Sequence, residues 1–293
     1  MTEAYAPILV EIAGPSSQTL LRRRIFGHKG LLIGGSLLTI IVLMALLAPL
    51  IAPYDPARND FNAVLAPPSG AYLLGGDDLG RDVLSRIIYG ARASMEVGVL
   101  ATLIAMVVAV PIGLVAGYYR GWADPVISRI NDVVLAFPFL ILAVGLAAIF
   151  GPSLTNAALA LGISRVPILV RITRGEVLAL REEDYVRAAI ANGAGDGVIL
   201  TRHILPNMVN TLLVQATITI PLAIIGESLL SFLGLGVQPP TPSWGVMLAG
   251  AQQFLVQAPW LALFPGLAVF FATLSFNLFG DGLRDVLDPR TVS

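Results

Sequence analysis

The chain has 293 residues, 56% of them hydrophobic and only 13% charged, with a formal net charge of −1 and a mean hydropathy of +0.81. A water-soluble domain carries about 25% charged residues, so this composition excludes a fully wetted surface and implies that much of the chain faces lipid. The near-neutral balance gives no electrostatic case for nucleic acid, and the absence of cysteine removes disulfides, thiolate metal sites and cysteine nucleophiles together.

Residues 1–30 read as a cytoplasmic N-terminal segment. Arg22-Arg23-Arg24 followed by Ile25-Phe26 has the look of a twin-arginine export signal, but the apolar run Leu31–Ala52 exceeds the roughly 7–15 residues of a signal core. It reads as a retained first transmembrane helix, 31–52, with the arginines as its anchor. Further runs on the order of 20 apolar residues are Val97–Tyr118, Ile127–Phe150, Leu154–Leu169, Met208–Leu233 and Trp260–Phe279. The fourth is short, with Arg165 and Pro167 near its end. Pro111, Pro138, Pro221 and Pro265 interrupt the second, third, fifth and sixth runs, where kinks are expected. With the N-terminus inside, the inner side holds 13 Lys and Arg residues and the outer side four, namely Arg58, Arg81, Arg86 and Arg92. This asymmetry places both termini in the cytoplasm. The fold class is therefore an all-α integral membrane protein with about six transmembrane helices.

Residues 53–92 form the predicted extracytoplasmic loop, and residues 93–293 the core. Within the loop, Leu79, Val83, Leu84, Ile87 and Ile88 recur at helical spacing opposite Arg81, Asp82, Ser85 and Arg86. Asp77 or Asp78 can cap such a helix, and Asp82 stands one turn before Arg86. The pattern predicts an amphipathic helix on the outer membrane face, either anchoring the loop or taking part in gating. The inner segment 171–207 is the charge-rich stretch of the core. Arg181, Glu182, Glu183, Asp184, Arg187, Asp196 and Arg202 alternate in sign, as suits a solvated surface that meets a protein.

Inside that segment, Tyr185-Val186-Arg187-Ala188-Ala189 is followed by Gly193 and then by Leu205-Pro206. This is a short helix presenting two small residues, with a glycine that can end it and a proline closing the segment before the next span. The segment resembles the EAA loop of ABC-importer permeases: Ala188, Ala189, Gly193, Leu205 and Pro206 fall at that loop's spacing. Arg187 stands where the family has its name-giving acid, and His203 at the first hydrophobic position. A salt bridge from that acid to the ATPase is therefore not carried over. The resemblance implies that Tyr185, Ala188, Ala189, Gly193, Leu205 and Pro206, in the 184–206 loop, couple the chain to a separate ATPase.

Three more stretches narrow the resemblance. Leu74 to Arg86, with its Gly75-Gly76-Asp77-Asp78-Leu79-Gly80-Arg81-Asp82 core, is similar to the outer signature of the dipeptide/oligopeptide/nickel permeases of the C type. Ser231 to Gly245, through Gln238-Pro239-Pro240 and Ser243-Trp244, resembles the loop after the fifth span in that group. Asn277 to Pro289 resembles its C-terminus. The resemblance implies a type I ABC-importer permease fold in a bacterial or archaeal cytoplasmic membrane. Implied partners are a homologous B-type permease, two ATP-binding subunits, an extracytoplasmic solute-binding protein and membrane lipid. This chain carries no Gly-Lys-Ser/Thr phosphate loop, and its only lysine is Lys29. It is expected to be non-catalytic, with ATP and Mg bound by the partner subunits.

Intramembrane polar residues are costly and call for a partner or a purpose. Glu227 in the fifth span can contact substrate, pair with Arg165, or hydrogen-bond within the bundle. Asn131 and Asp132 are expected at the inner interface, and Asn277 in an interhelical hydrogen bond. No charged side chain lies between Ser228 and Gly280. The candidates for the translocation path are thus Glu227, Gln238, Trp244, Gln252 and Gln253, a lining of weak selectivity. No metal cluster is expected. The histidines are His28 and His203 alone, which leaves a membrane hydrolase without a catalytic constellation. A secondary carrier or channel explains the spans but not the inner loop. Dipeptides or short oligopeptides are the expected substrates, with nickel chelates, opines and glutathione as alternatives.

Overall fold

The computed structural model describes residues 25–287. The Arg22–Arg24 anchor, Arg290 and the closing Asp288-Pro289 lie outside the described residues. The first span is α1, Lys29–Leu46, extended by a turn at Ala48–Ile51. His28 caps it: Nδ1 accepts from the Leu31 N–H at 3.1 Å, while Nε2 stands 3.1 Å from Asp285 at the end of the last helix.

The second span, α2, runs from Val83 to Tyr119. Its 37 residues extend about 55 Å, well beyond a hydrocarbon core of about 30 Å. The expected surface helix is therefore not a separate element. Its residues are the first turns of α2, and the apolar stripe read from the sequence is real but faces protein. Val83 and Ile87 pack on Met247, Ala251, Ala258 and Leu261. The cap is Asp82, whose carboxylate accepts from the Ser85 N–H at 2.8 Å, and not Asp77 or Asp78. Nor does Asp82 pair with Arg86. Asp77 does, 3.4 Å from the Arg86 Nε, while its other contacts are the N–H groups of Leu79 (2.9 Å) and Arg81 (2.8 Å) and the Arg81 Nε (2.7 Å). One carboxylate thereby ties the loop into a knot. Gly80 belongs to that knot with φ +72°, and a Cβ there would run into the Asp60 carbonyl.

The third predicted span is broken. α3 (Ala123–Leu135) and α4 (Phe139–Phe150) meet at 86°. Pro138 is responsible: it has no N–H to give to α3 and disfavours helical geometry at Phe137. α5 runs Leu154–Leu180, straight through Arg165 and Pro167, so the fourth span is longer than expected. Its capping hydroxyl is Ser153, which accepts from the Asn156 N–H at 3.0 Å. α3 lies along α5 through polar contacts: Arg174 to Asp124 (2.7 Å), Arg171 to Asp132 (2.8 Å), and the Asn131 amide donating to the Pro167 carbonyl (3.0 Å).

After a short exposed helix, α6 (Asp184–Ala191), the chain makes a π-type turn over Ile199–Ile204 and enters α7, Leu205–Phe232. A short α8, Trp244–Ala251, precedes the last span, α9, Trp260–Leu287. Pro111, Pro221 and Pro265 sit inside helices that continue past them. The bundle is packed on small residues, as helices in lipid require for close approach. Ala101, Ala157, Ala158, Ala160, Leu161 and Ala223 form one buried cluster, and Ala105 and Ala109 meet Leu169 and Val170 in another. α6, the start of α7 and the ends of α2, α5 and α9 share one end of the bundle.

Candidate functional site

α6 has one buried side chain. Val186 is fully buried and packs with Tyr118, Val177, Ile199, Ile204 and Met208. Tyr185, Arg187, Ala188, Ile190, Ala191 and Asn192 are exposed, and Ala189 is half-buried. A helix of eight residues is too short to persist alone in water, so this packing, its C-terminal cap and its ion pairs must hold it. The C-terminal cap is complete. Gly193 adopts φ +78°, its N–H donates to the Ile190 carbonyl (2.9 Å), and the Ala194 N–H reaches back to the Ala189 carbonyl (3.1 Å). This double bond pattern is the Schellman motif, which needs a left-handed residue where Gly193 stands. No atom lies within 4 Å of a Cβ built on Gly193, so its face is open.

The residue standing in place of the family's acid is used within the loop. Arg187 donates to Glu182 at 2.6 Å, and Arg120, at the end of α2, donates to the other oxygen of the same carboxylate, also at 2.6 Å. Arg187 first and Arg120 second hold the Glu182 carboxyl below the usual carboxylate range. Beyond α6, the Tyr118 hydroxyl donates to Asp196 at 2.9 Å, and the Arg181 guanidinium lies over the Tyr118 ring at 5.3 Å. Leu205 is half-buried among the residues that seat Val186, and Pro206 is exposed in the first turn of α7. The structure thus places Tyr185, Ala188, Ala189, Gly193, Leu205 and Pro206 at the same end of the bundle. Tyr185, Ala188, Gly193 and Pro206 are exposed there, while Ala189 and Leu205 are half-buried.

The polar candidates of the spans fare differently. Glu227 is fully buried, and its Oε1 accepts from Ser231 (2.7 Å) and Ser243 (2.8 Å). It neither opens to a path nor pairs with Arg165, so of the three readings of this residue the hydrogen-bonded bundle position is the one observed. Trp244 is also fully buried. Its ring N–H donates to the Ile87 carbonyl (3.1 Å) and its backbone N–H to the Ser94 hydroxyl (3.1 Å), which makes it a core residue joining α8 to α2. Gln238, Gln252 and Gln253 are exposed. The Gln238 amide donates to its own loop at the Gly236 carbonyl (3.1 Å), beside a cavity of about 360 Å³ that Asp78, Arg81 and Met247 also line. Asn277 is exposed and its side chain makes no hydrogen bond among the described residues, contrary to the interhelical role expected. A second cavity, about 690 Å³ at the α6 end, was not foreseen. It is lined by Glu176, Asn207, Asn210, Thr211, Gln215 and Arg284. The signal was present: Asn207, Thr211 and Gln215 recur every four residues, a polar stripe along an apolar helix.

Residues 109–293 match the family described as the binding-protein-dependent transport system inner membrane component, and residues 19–68 match the N-terminal TM domain of oligopeptide transport permease C. The chain is 45% identical to the dipeptide transport system permease protein of Alkalihalophilus pseudofirmus, covering 91% of this chain and 88% of that one. It is 43% identical to the glutathione transport system permease protein of Pectobacterium atrosepticum, covering 92% and 90%. It is 42% identical to a putative peptide transport system permease protein of Brucella abortus, covering 99% and 98%. In fold it is similar to the MetNI methionine ABC transporter in inward-facing conformations, with a TM-score of 0.54 and 18% identity over 69% of this chain and 97% of that one. Among the described residues five helices are long and apolar enough to cross a membrane, six with the bent α3–α4 pair taken as one span; with matches over most of its length, this leads to one conclusion: the chain belongs to the binding-protein-dependent transport system inner membrane components, the permease subunits of ABC importers.

Proposed function

We propose that this chain forms half of an ATP-driven translocation path for dipeptides or short oligopeptides, paired with a homologous B-type permease. Two ATP-binding subunits, which hold ATP and Mg, dock on α6, and an extracytoplasmic solute-binding protein delivers the solute at the opposite end. The α6 end is then cytoplasmic, in line with the lysine and arginine distribution. The observation that carries this reading is α6 itself: a capped, nearly fully exposed helix with small residues on its face, anchored by Val186 to the ends of α2, α5 and α7. A push on it is delivered to three spans at once. The chain supplies no catalytic group to the cycle. The peptide assignment is supported by the dipeptide and peptide permeases among its relatives. Glutathione is the second reading, supported by the 43% identical glutathione permease. ATP hydrolysis by the reconstituted complex tests the choice. Loaded binding protein carrying a dipeptide should stimulate it, and stimulation by glutathione alone would transfer the assignment.

A further inference from the structure

Three arginines stand on α5, and α3 gives a carboxylate to only two of them. Arg174 holds Asp124 and Arg171 holds Asp132. Arg165 lies eleven residues beyond the first residue of α5, or about 16 Å along the helix and so near the middle of a hydrocarbon core of about 30 Å. Among the described residues no carboxylate pairs with it. Its guanidinium instead lies 4.0 Å from the centroid of the Phe139 ring, and its Nε is buried without a hydrogen-bond partner. An aromatic face steadies a guanidinium without neutralising it, so the charge and the outer fork of the side chain remain available.

Arg165 borders a cavity of about 270 Å³ at the α3–α4 break, with Val134, Phe137, Pro138, Phe139 and Ser164 around it. Phe139 opens α4, whose N-cap Pro138 offers no side-chain cap, so the first-turn N–H groups of a twelve-residue helix stand at the same cavity. A cation at this depth cannot be turned to lipid tails. It faces water, protein or a passing solute. The cavity, about 270 Å³, accommodates a carboxylate with part of a chain attached.

We infer that the cavity between Arg165 and the start of α4 is a mid-membrane station for the α-carboxylate of the peptide in transit, gripped by the Arg165 fork. The inference rests on the peptide reading above. It fits a path of weak selectivity, because the terminal carboxylate is present on every short peptide whatever its side chains.

The test uses the assembled importer in proteoliposomes with dialanine or dialanine amide, each supplied at a concentration that saturates the binding protein, so that uptake reports steps after capture. The wild-type complex should move the acid faster than the amide. In Arg165→Gln, acid uptake should fall roughly ten-fold, the size expected for losing a charge-assisted hydrogen bond, and the acid-to-amide ratio should approach one. Arg165→Lys, which keeps the charge but not the fork, should fall between the two. An unchanged ratio in Arg165→Gln overturns the station. Loss of co-purification with the partner subunits in either variant also overturns it, by making Arg165 an assembly residue. If the wild-type complex moves neither compound, the peptide reading itself has failed.

Discussion

At the residue scale, the side chains that matter most do so through backbone geometry or a single hydroxyl. Gly193 closes α6 at φ +78° with open space around it, so a larger residue there meets no steric bar, only backbone strain. Gly193→Val should cost about 1–2 kcal/mol in the left-handed conformation, enough to fray the last turn of α6. Membrane insertion should be normal and stimulation of ATP hydrolysis by the loaded binding protein should drop several-fold. Stimulation at the wild-type level would mean that α6 is not where motion is passed. Ser243 does two jobs at once, capping α8 by accepting from the Val246 N–H (3.1 Å) and donating to Glu227 (2.8 Å). Ser243→Ala should lower stability by about 2 kcal/mol, as a lost cap plus a buried carboxylate with one partner fewer. Thermal unfolding in detergent measures it, with Ser231→Ala expected to do less because no cap is lost. The Glu227 to Ser231 spacing was readable as one helical turn. Ser243, sixteen residues away across an irregular loop, was not, which is why a substrate contact remained open at the sequence level.

At the element scale, what could be read was the existence of each span, and what could not was where neighbouring charges are hidden. Arg171 and Arg174 looked like the start of a solvated loop and truncated the fourth span. Their partners Asp132 and Asp124 lie 39 and 50 residues upstream on α3, beyond any periodic pattern. The third run read as one span because hydropathy does not register a bend, although Pro138 marked its site. The amphipathic stripe at Val83–Ile88 was read correctly as a pattern and wrongly as a membrane-surface face, since periodicity does not distinguish lipid from a packed neighbour. The helix α6, its small residues and its terminal glycine were legible because they lie within ten residues; that Val186 anchors it was not, because its seat is built from Tyr118, Val177 and Met208 on other helices. It depends on Val186, and Val186→Ala removes about 1–2 kcal/mol of buried contact. Amide hydrogen exchange should then rise across residues 184–191 and nowhere in α2 or α7; protection equal to wild type would place the anchor elsewhere. The Glu182 bridge to Arg187 and Arg120 should add a pH dependence. Its carboxyl titrates below the ordinary value of 4.5, so the bridge is fully formed above that value and is lost as pH falls through the lowered one. Exchange in α6 should therefore be insensitive to this group near neutral pH and increase only on acidification below about 4.5, a step that Glu182→Gln abolishes.

At the scale of the whole molecule, the two ends of the bundle differ in kind, and the proposed division of labour depends on which end faces which compartment. One end carries α6, the polar cavity beside Glu176 and Arg284, and a seat made from the ends of three spans. The other carries the Asp77 knot, the loop through Gln238 and the buried Trp244, an arrangement tied by side-chain hydrogen bonds rather than exposed as a docking helix. Composition and charge asymmetry pointed to the α6 end as cytoplasmic, but a charge count is a statistical rule about insertion, and it does not see how Arg81 and Arg86 are paired with Asp77 and Asp78 on the far side. The chain contains no cysteine, so single cysteines report topology without background. Asn59→Cys, exposed in the 53–82 loop, should react with a membrane-impermeant maleimide in intact cells, and Arg202→Cys, exposed after α6, only once the membrane is opened. The opposite pattern would put α6 outside the cell, where no ATP-binding subunit could reach it. The coupling role of α6 would then fall even though membership of the family would stand.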